Sequence, residues 1–192
     1  MYKQCTTEKA AMQQRRIEEC LLTLMRDKSF HDISVSSLCE RAGLSRKTFY
    51  CLFDSKHDVL CALIDRIIRE FIHYRLPKES LAPNVPEELL AFFSYWLEQR
   101  PLLDALSKNG ISTLLFERCI HHVMEEDAAL LIQAGVTTSL QQNTEAMMFF
   151  LSGILTLVVG WHHTGYQKSP LEMARITDKL LAEPPIRHPG FM

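Results

Sequence analysis

Residues 33–60 read Ile33-Ser-Val-Ser-Ser-Leu-Cys-Glu-Arg-Ala-Gly-Leu-Ser-Arg-Lys-Thr-Phe-Tyr-Cys-Leu-Phe-Asp-Ser-Lys-His-Asp-Val-Leu60, and the order of residue types in this stretch decides the fold. Val35, Leu38, Cys39 and Ala42 recur at the i, i+3, i+4, i+7 spacing of an amphipathic helix, which predicts a short helix over 35–42. Gly43 follows the last periodic residue, where a residue free to take the left-handed conformation ends a helix and turns the chain. Leu44 is placed to plug the space between two helices. Ser45 then restarts the helix, its hydroxyl set to accept from the backbone N–H of Lys47 or Thr48, so that a second helix begins at Arg46 and runs to Phe53. Two short helices joined by a tight glycine turn make a helix-turn-helix, whose second helix enters the major groove of DNA.

The second helix sorts by face. Phe49 and Phe53, four apart, pack inward, which leaves Lys47, Thr48, Tyr50 and Cys51 pointing outward or sideways. Arg46 and Lys47 suit phosphates or guanine edges, Thr48 a base or a thymine methyl, and Tyr50 a stacking contact or a phosphate oxygen. Lys56 stands at the start of the following helix, where free backbone N–H groups favour an anion. The DNA-facing set expected from the sequence is Ser36, Ser45, Arg46, Lys47, Thr48, Tyr50 and Lys56. By spacing alone, an exposed helix pair in an unrelated all-α protein reads equally well.

The residues themselves separate the two readings. Ala42-Gly43-Leu44-Ser45, Thr48-Phe49-Tyr50 and Phe53-Asp54-Ser55-Lys56 resemble the signature of the TetR (tetracycline-repressor) family of bacterial transcription regulators, over roughly residues 9–60. The resemblance implies a three-helix, homeodomain-like DNA-binding head over 1–54, an all-α ligand-binding and dimerisation domain over 55–192, and a homodimer on a palindromic operator. Three positions depart from the family's usual pattern: Lys47 stands where a Gly is frequent, Leu52 where a phosphate-contacting His is frequent, and Cys51 where a bulkier residue is frequent.

Charge follows the motif. Overall the formal charge is −2, but through Leu60 ten Lys and Arg stand against eight Asp and Glu, and beyond it eleven stand against fifteen, so the basic end is the end with the helix-turn-helix. Upstream, Ile17, Leu21 and Leu24, with Cys20 and Met25, give the stripe of a bracing helix over 7–27, with Arg15, Arg16, Glu18 and Glu19 facing water. Downstream, Ser55 with Asp58 is a short capping box that starts a helix at Lys56, and an apolar stripe carries it to Tyr74.

The remainder reads as helices throughout. Three prolines make 76–86 a loop. Helices are expected over 87–99, from Pro101 to before Asn109-Gly110, over 112–134 whole or broken, over 139–164, and over 170–182 behind the capping box Ser169-Pro170-Leu171-Glu172. An effector pocket would draw on Phe92, Tyr95, Trp96, Phe116, His121, Met124, Met147 and Phe150. The helix over 139–164 is apolar nearly all round and must be covered on more than one side, so it and the last helix are expected to pair with a second copy through Phe149, Gly153, Leu157, Trp161, Met173, Ile176 and Leu180.

Other classes find little support. His121-His122 and His162-His163 are adjacent pairs that point about 100° apart on a helix and stand in no recognisable metal-ligand pattern, so no metal site is expected. No G-x-S-x-G elbow and no P-loop occurs, so neither catalysis nor a cofactor is expected. The six cysteines form no C-x-x-C pair, no apolar leader opens the sequence, and no uninterrupted apolar run reaches bilayer length, so a cytoplasmic protein without a membrane partner is expected. Two functions remain: a ligand-responsive regulator, most often a repressor in such families, and a dimeric small-molecule or protein adaptor whose head no longer reads DNA.

Overall fold

A computed structural model of the chain describes residues 7–74, 84–122 and 144–182, and every regular element among them is helical. In order these are α1 (Glu8–Asp27), a 3-10 turn (Phe30–Asp32), α2 (Val35–Ala42), α3 (Arg46–Leu52), α4 (Lys56–His73), α5 (Glu87–Glu98), α6 (Arg100–Lys108), α7 (Thr113–His121), α8 (Thr144–His163) and α9 (Pro170–Ala182). The all-α fold, with a helix-turn-helix at its N-terminal end and a helical remainder, is the one expected. The residues expected to continue α7 to 134 and to open α8 from 139, and most of the proline loop, lie outside the described residues.

The helices pack as two compact units, one within Met1–Arg69 and Pro101–His122, the other within Glu70–Arg100 and Val123–Met192. Packing thus divides the chain at other places than the motif boundary at 54/55, which marks where the helix-turn-helix signature ends. In the first unit Ile17, Leu21 and Met25 of α1, Leu38 and Ala42 of α2, Phe49 of α3, Phe53 after it, and Leu60, Leu63 and Ile64 of α4 are buried together with Leu102 of α6. Phe49 and Phe53 each contribute about 1.5–3 kcal/mol by leaving water.

Three polar clamps hold this unit. Glu18 is fully buried rather than water-facing, because Arg66 of α4 donates to its Oε2 at 2.7 Å and Gln14 to its Oε1 at 3.0 Å. Its partner lies 48 residues away, so helical periodicity gave no sign of it. Asp65 of α4 accepts two 2.7 Å hydrogen bonds from Arg118 of α7, with His122 Nε2 3.1 Å away. At the base of the head, Lys108 donates to the Arg26 carbonyl and the Phe30 N–H donates to Asn109 Oδ1.

The second unit is built on α5, α8 and α9. The buried side of α5 carries Leu89, Leu90, Phe93, Tyr95 and Trp96, and α9 packs along it. Phe93 meets Trp161 of α8 edge to face at 5.8 Å. Trp161 donates its indole N–H to the Lys168 carbonyl at 2.8 Å, and Ser169 and Glu172 cap α9 reciprocally, the Ser169 N–H donating to Oε2 at 2.7 Å and the Glu172 N–H to Ser169 Oγ at 3.3 Å. The Ser169 N–H and the Ser169 hydroxyl, both donating to Oε2, hold the Glu172 carboxyl below its ordinary value. By length and composition Glu145–His163 is apolar enough to cross a membrane, contrary to the expectation that no run qualifies, and 28 % of that window is buried within the chain.

Candidate nucleic-acid interface

The reading pair is set by its caps. Ser34 Oγ accepts from the Ser37 N–H at 3.1 Å and Ser37 Oγ accepts from the Ser34 N–H at 3.2 Å, closing a capping box before α2. Gly43 ends that helix at φ +61, in the left-handed region, with its N–H donating to the Glu40 carbonyl at 3.1 Å. A Cβ at Gly43 would also stand 3.3 Å from the Arg16 guanidinium, so both backbone conformation and space select glycine. The same contact places Arg16 against the turn, a cation of the head that the stripe on α1 gave no reason to single out.

Ser45 Oγ accepts from the Thr48 N–H at 3.0 Å, so the cap forms to Thr48 and not to Lys47. The two hydroxyls are themselves 2.9 Å apart and share a hydrogen bond. Phe49, Leu52 and Phe53 are buried, with Phe49 and Phe53 rings 5.7 Å apart, and this inward set fixes which side of α3 faces out. Arg46, Lys47, Tyr50 and Cys51 are exposed, Ser36 and Ser45 are exposed beside them, and Thr48 is half-buried. Tyr50, 43 % exposed, stands edge-on to Phe49 at 5.4 Å, which orients its phenol. Arg46 lies near enough to Cys39 for its charge to oppose the upward push that burial gives that thiol.

Lys56 does not join this surface as expected. Its ammonium donates to the carbonyls of Phe30 at 2.7 Å, His31 at 2.6 Å and Ile33 at 2.8 Å, and it sits over the Phe30 ring at 5.0 Å. A lysine has three N–H donors, and all three are engaged. Instead of reaching for a phosphate, Lys56 ties α4 to the turn that precedes α2.

The expected pocket residues divide between the units. Phe92, Tyr95, Trp96, Met147 and Phe150 belong to the second, Phe116 and His121 to the first, and Met124 lies outside the described residues. Of the expected pairing residues, Phe149 (76 % exposed), Gly153, Ile176 and Leu180 are exposed and Leu157 is half-buried. Trp161 and Met173 are buried within the unit's own core, so they are not available to a second copy. Among the described residues no group of three or more His, Cys, Asp or Glu is placed to hold a metal ion.

A short capped helix turning through a left-handed glycine onto a second helix with a basic, tyrosine-bearing outer face defines a helix-turn-helix protein. Over 47 residues the chain is 47 % identical to the HTH-type transcriptional regulator EthR of Mycobacterium tuberculosis (strain ATCC 25618 / H37Rv), a stretch amounting to 24 % of this chain and 22 % of that protein. Over 46 residues it is 50 % identical to EthR of Mycolicibacterium smegmatis (strain ATCC 700084 / mc(2)155), 24 % of this chain and 21 % of that protein. The match lies at the N-terminal end, so the chain aligns with about a fifth of the length of these curated relatives. No family model matches the chain. Over this N-terminal stretch, and not beyond it, the chain is similar to EthR, a TetR-family helix-turn-helix regulator.

Proposed function

We propose that the chain is a DNA-binding transcriptional regulator of the cytoplasm, a ligand-responsive repressor that binds a palindromic operator as a homodimer. The observation that carries this reading is the division of α3, whose Phe49 and Leu52 are buried in the core while Arg46, Lys47 and Tyr50 are exposed, as are Ser36 on α2 and the cap Ser45. Phosphate contacts from Arg46, Lys47 and Arg16 set the register, and Thr48 and Tyr50 read base edges or the backbone beside them. The relatives matched by the head are transcriptional regulators.

Pairing is supported by α8 and α9. Phe149, Ser152, Gly153, Thr156 and Gly160 fall along one exposed side of α8, and Ile176, Leu180 and Leu181 are exposed on α9. An added Cβ at Gly153 or Gly160 would meet nothing within 4 Å, so a second helix can approach the backbone closely there. A twofold partner that covers this face places two heads on one duplex, half-sites a helical turn or a multiple apart.

The adaptor reading drew on the unusual residues Lys47 and Leu52. Leu52 is 6 % exposed and packs in the head's core, so it offers no phosphate contact in place of the His frequent there, and the DNA-binding reading rests on Arg46, Lys47, Thr48 and Tyr50. Gel retardation of DNA taken from upstream of the chain's own gene, at low salt and with unrelated DNA as competitor, tests the proposal. Specific retardation that weakens steeply with salt is expected; equal affinity for both DNAs would favour the adaptor.

A further inference from the structure

The 3-10 turn Phe30–Asp32 joins α1 to the helix-turn-helix, and none of its side chains is buried, so apolar packing does not fix where it lies. Side chains from two other helices of the first unit hold its backbone instead. The Lys56 ammonium of α4 takes the carbonyls of Phe30, His31 and Ile33 at 2.7, 2.6 and 2.8 Å. From α6, Lys108 donates to the carbonyl of Arg26 at the C-terminal end of α1, and Asn109 Oδ1 accepts from the Phe30 N–H. The Asn109 carboxamide is oriented by its own helix, its Nδ2 donating to the Ala105 carbonyl at 2.7 Å, and Gly110 at φ +66 follows it. The two peptide groups of Phe30 are therefore held by different helices, the N–H by α6 and the carbonyl by α4.

We propose that Asn109, with Lys108, is a positioning residue for DNA reading: it fixes the angle at which α1, α2 and α3 stand against α6, and so determines which spacing of operator half-sites the protein accepts. The inference rests on the reading of the chain as a dimeric operator-binding regulator and adds to it a specificity determinant that touches no DNA. Hydrogen bonds are directional and apolar contacts are not, so a turn held through its N–H and carbonyl groups has one preferred placement. The Lys108 ammonium also meets the negative end of α1, which favours the same placement. Small changes of angle matter on an operator, because moving a half-site by one base pair shifts it by about 3.4 Å and turns it by about 35°. Phe30 takes part through its backbone, so on this contact the variable group is the Asn109 side chain. Asn109→Leu keeps the volume and offers no acceptor to the Phe30 N–H, whereas Asn109→Asp keeps the acceptor.

Head position and half-site spacing are measured separately. Nitroxide labels are placed at exposed Cys51 on α3 and, through Glu117→Cys, at an exposed position on α7, in a Cys5→Ser, Cys20→Ser background. The labelled chain is diluted with unlabelled chain, so the distances read are those within one chain. A narrow distribution between the two labels is expected for the parent and for Asn109→Asp, and a broader one for Asn109→Leu and Lys108→Met. The DNA probes are a palindrome that the parent enriches from random-sequence DNA, the same palindrome with its half-sites one base pair closer or farther, and a single half-site. Asn109→Leu is expected to lose about fivefold of the parent's discrimination between spacings, a factor of the size of one hydrogen bond, with its affinity for the single half-site unchanged. A purely structural role would lower the thermal midpoint and the half-site affinity together, leaving the distribution narrow and the spacing preference intact. That result overturns the inference, as does an Asn109→Asp protein that behaves like Asn109→Leu. Lys108→Met, at an exposed residue, carries both measurements if Asn109→Leu does not fold. A parent that enriches no DNA removes the regulator reading and this inference with it; a parent that binds its palindrome, with the same spacing preference in Asn109→Leu, removes this inference alone.

Discussion

Arg118 holds Asp65 by two parallel hydrogen bonds of 2.7 Å, Nε to Oδ1 and Nη2 to Oδ2, across a carboxylate whose side chain is 1 % exposed. This planar, two-pronged pairing joins α7 to α4, and His122 closes the third side at 3.1 Å. A buried ion pair of this kind is costly to break from one side only, because the remaining charge stays out of water. Asp65→Ala is therefore expected to lower stability by about 3–5 kcal/mol, read from urea unfolding. A loss below about 1 kcal/mol would place the variant in the range of exposed pairs and contradict the clamp.

Burial also sets the response to alkali. It pushes the Cys119 thiol up to about 12, with the Asp65 charge adding to it, and pushes the Tyr74 phenol up to about 12 with help from the Glu98 carboxylate that accepts its hydrogen bond at 2.8 Å. Both groups bind their protons more tightly in the folded chain than in the unfolded one, so their contribution is fully present below about pH 9 and is lost as the pH rises from there towards 12. Unfolding midpoints in urea should stay level up to pH 9 and decline above it. Iodoacetamide at pH 8 should label exposed Cys51 and leave Cys119 untouched until the protein unfolds.

Lys47 and Lys56, nine positions apart, should behave oppositely. Lys47→Ala and Arg46→Ala are expected to weaken operator binding several-fold, to reduce the salt slope by about one each, and to leave the thermal midpoint in place. Lys56→Met removes three hydrogen bonds to carbonyls and should cost about 1–3 kcal/mol of stability, with little change in the salt slope. A Lys56→Met protein of parental stability with a weakened salt dependence would return Lys56 to the phosphate-contacting set.

The face of α8 and α9 predicts a change of assembly. Phe149→Glu and Leu180→Glu put charge on side chains that are exposed in the single chain, so each monomer should fold. Sedimentation equilibrium is expected to show a dimer for the parent and a shift towards monomer in the variants, with operator affinity falling in parallel. A parent that sediments as a monomer at micromolar concentration would remove the homodimer from the proposal.

The head was legible in the sequence because its determinants are local. The Gly43 turn, the Ser45 cap and the inward pair Phe49 and Phe53 all act over four residues or fewer, and each forms as the spacing predicts, as does the Ser169–Glu172 box of the second unit. Arg16 is exposed as its place on α1 predicted, but Glu18 and Lys56 depart from their expected places for a shared reason. Each has a partner well away along the chain, Arg66 for Glu18 and the carbonyls of Phe30, His31 and Ile33 for Lys56, and helical periodicity assigns a charged residue to solvent unless such a partner is known. Trp161 and Met173 illustrate the converse: their apolar character required burial, but only the packing of α5 against α8 and α9 decides that their cover comes from the same chain.

The amino-acid sequence by itself determined that this protein is all-α and carries a helix-turn-helix, because caps, a left-handed glycine and a 3.6-residue apolar period are properties of neighbouring residues. Tertiary structure decided which charges face solvent and which clamp helices together, since burial and ion pairing depend on side chains brought together from distant positions. It drew Lys56, Glu18 and Asp65 inward and left Arg46 and Lys47 exposed on α3.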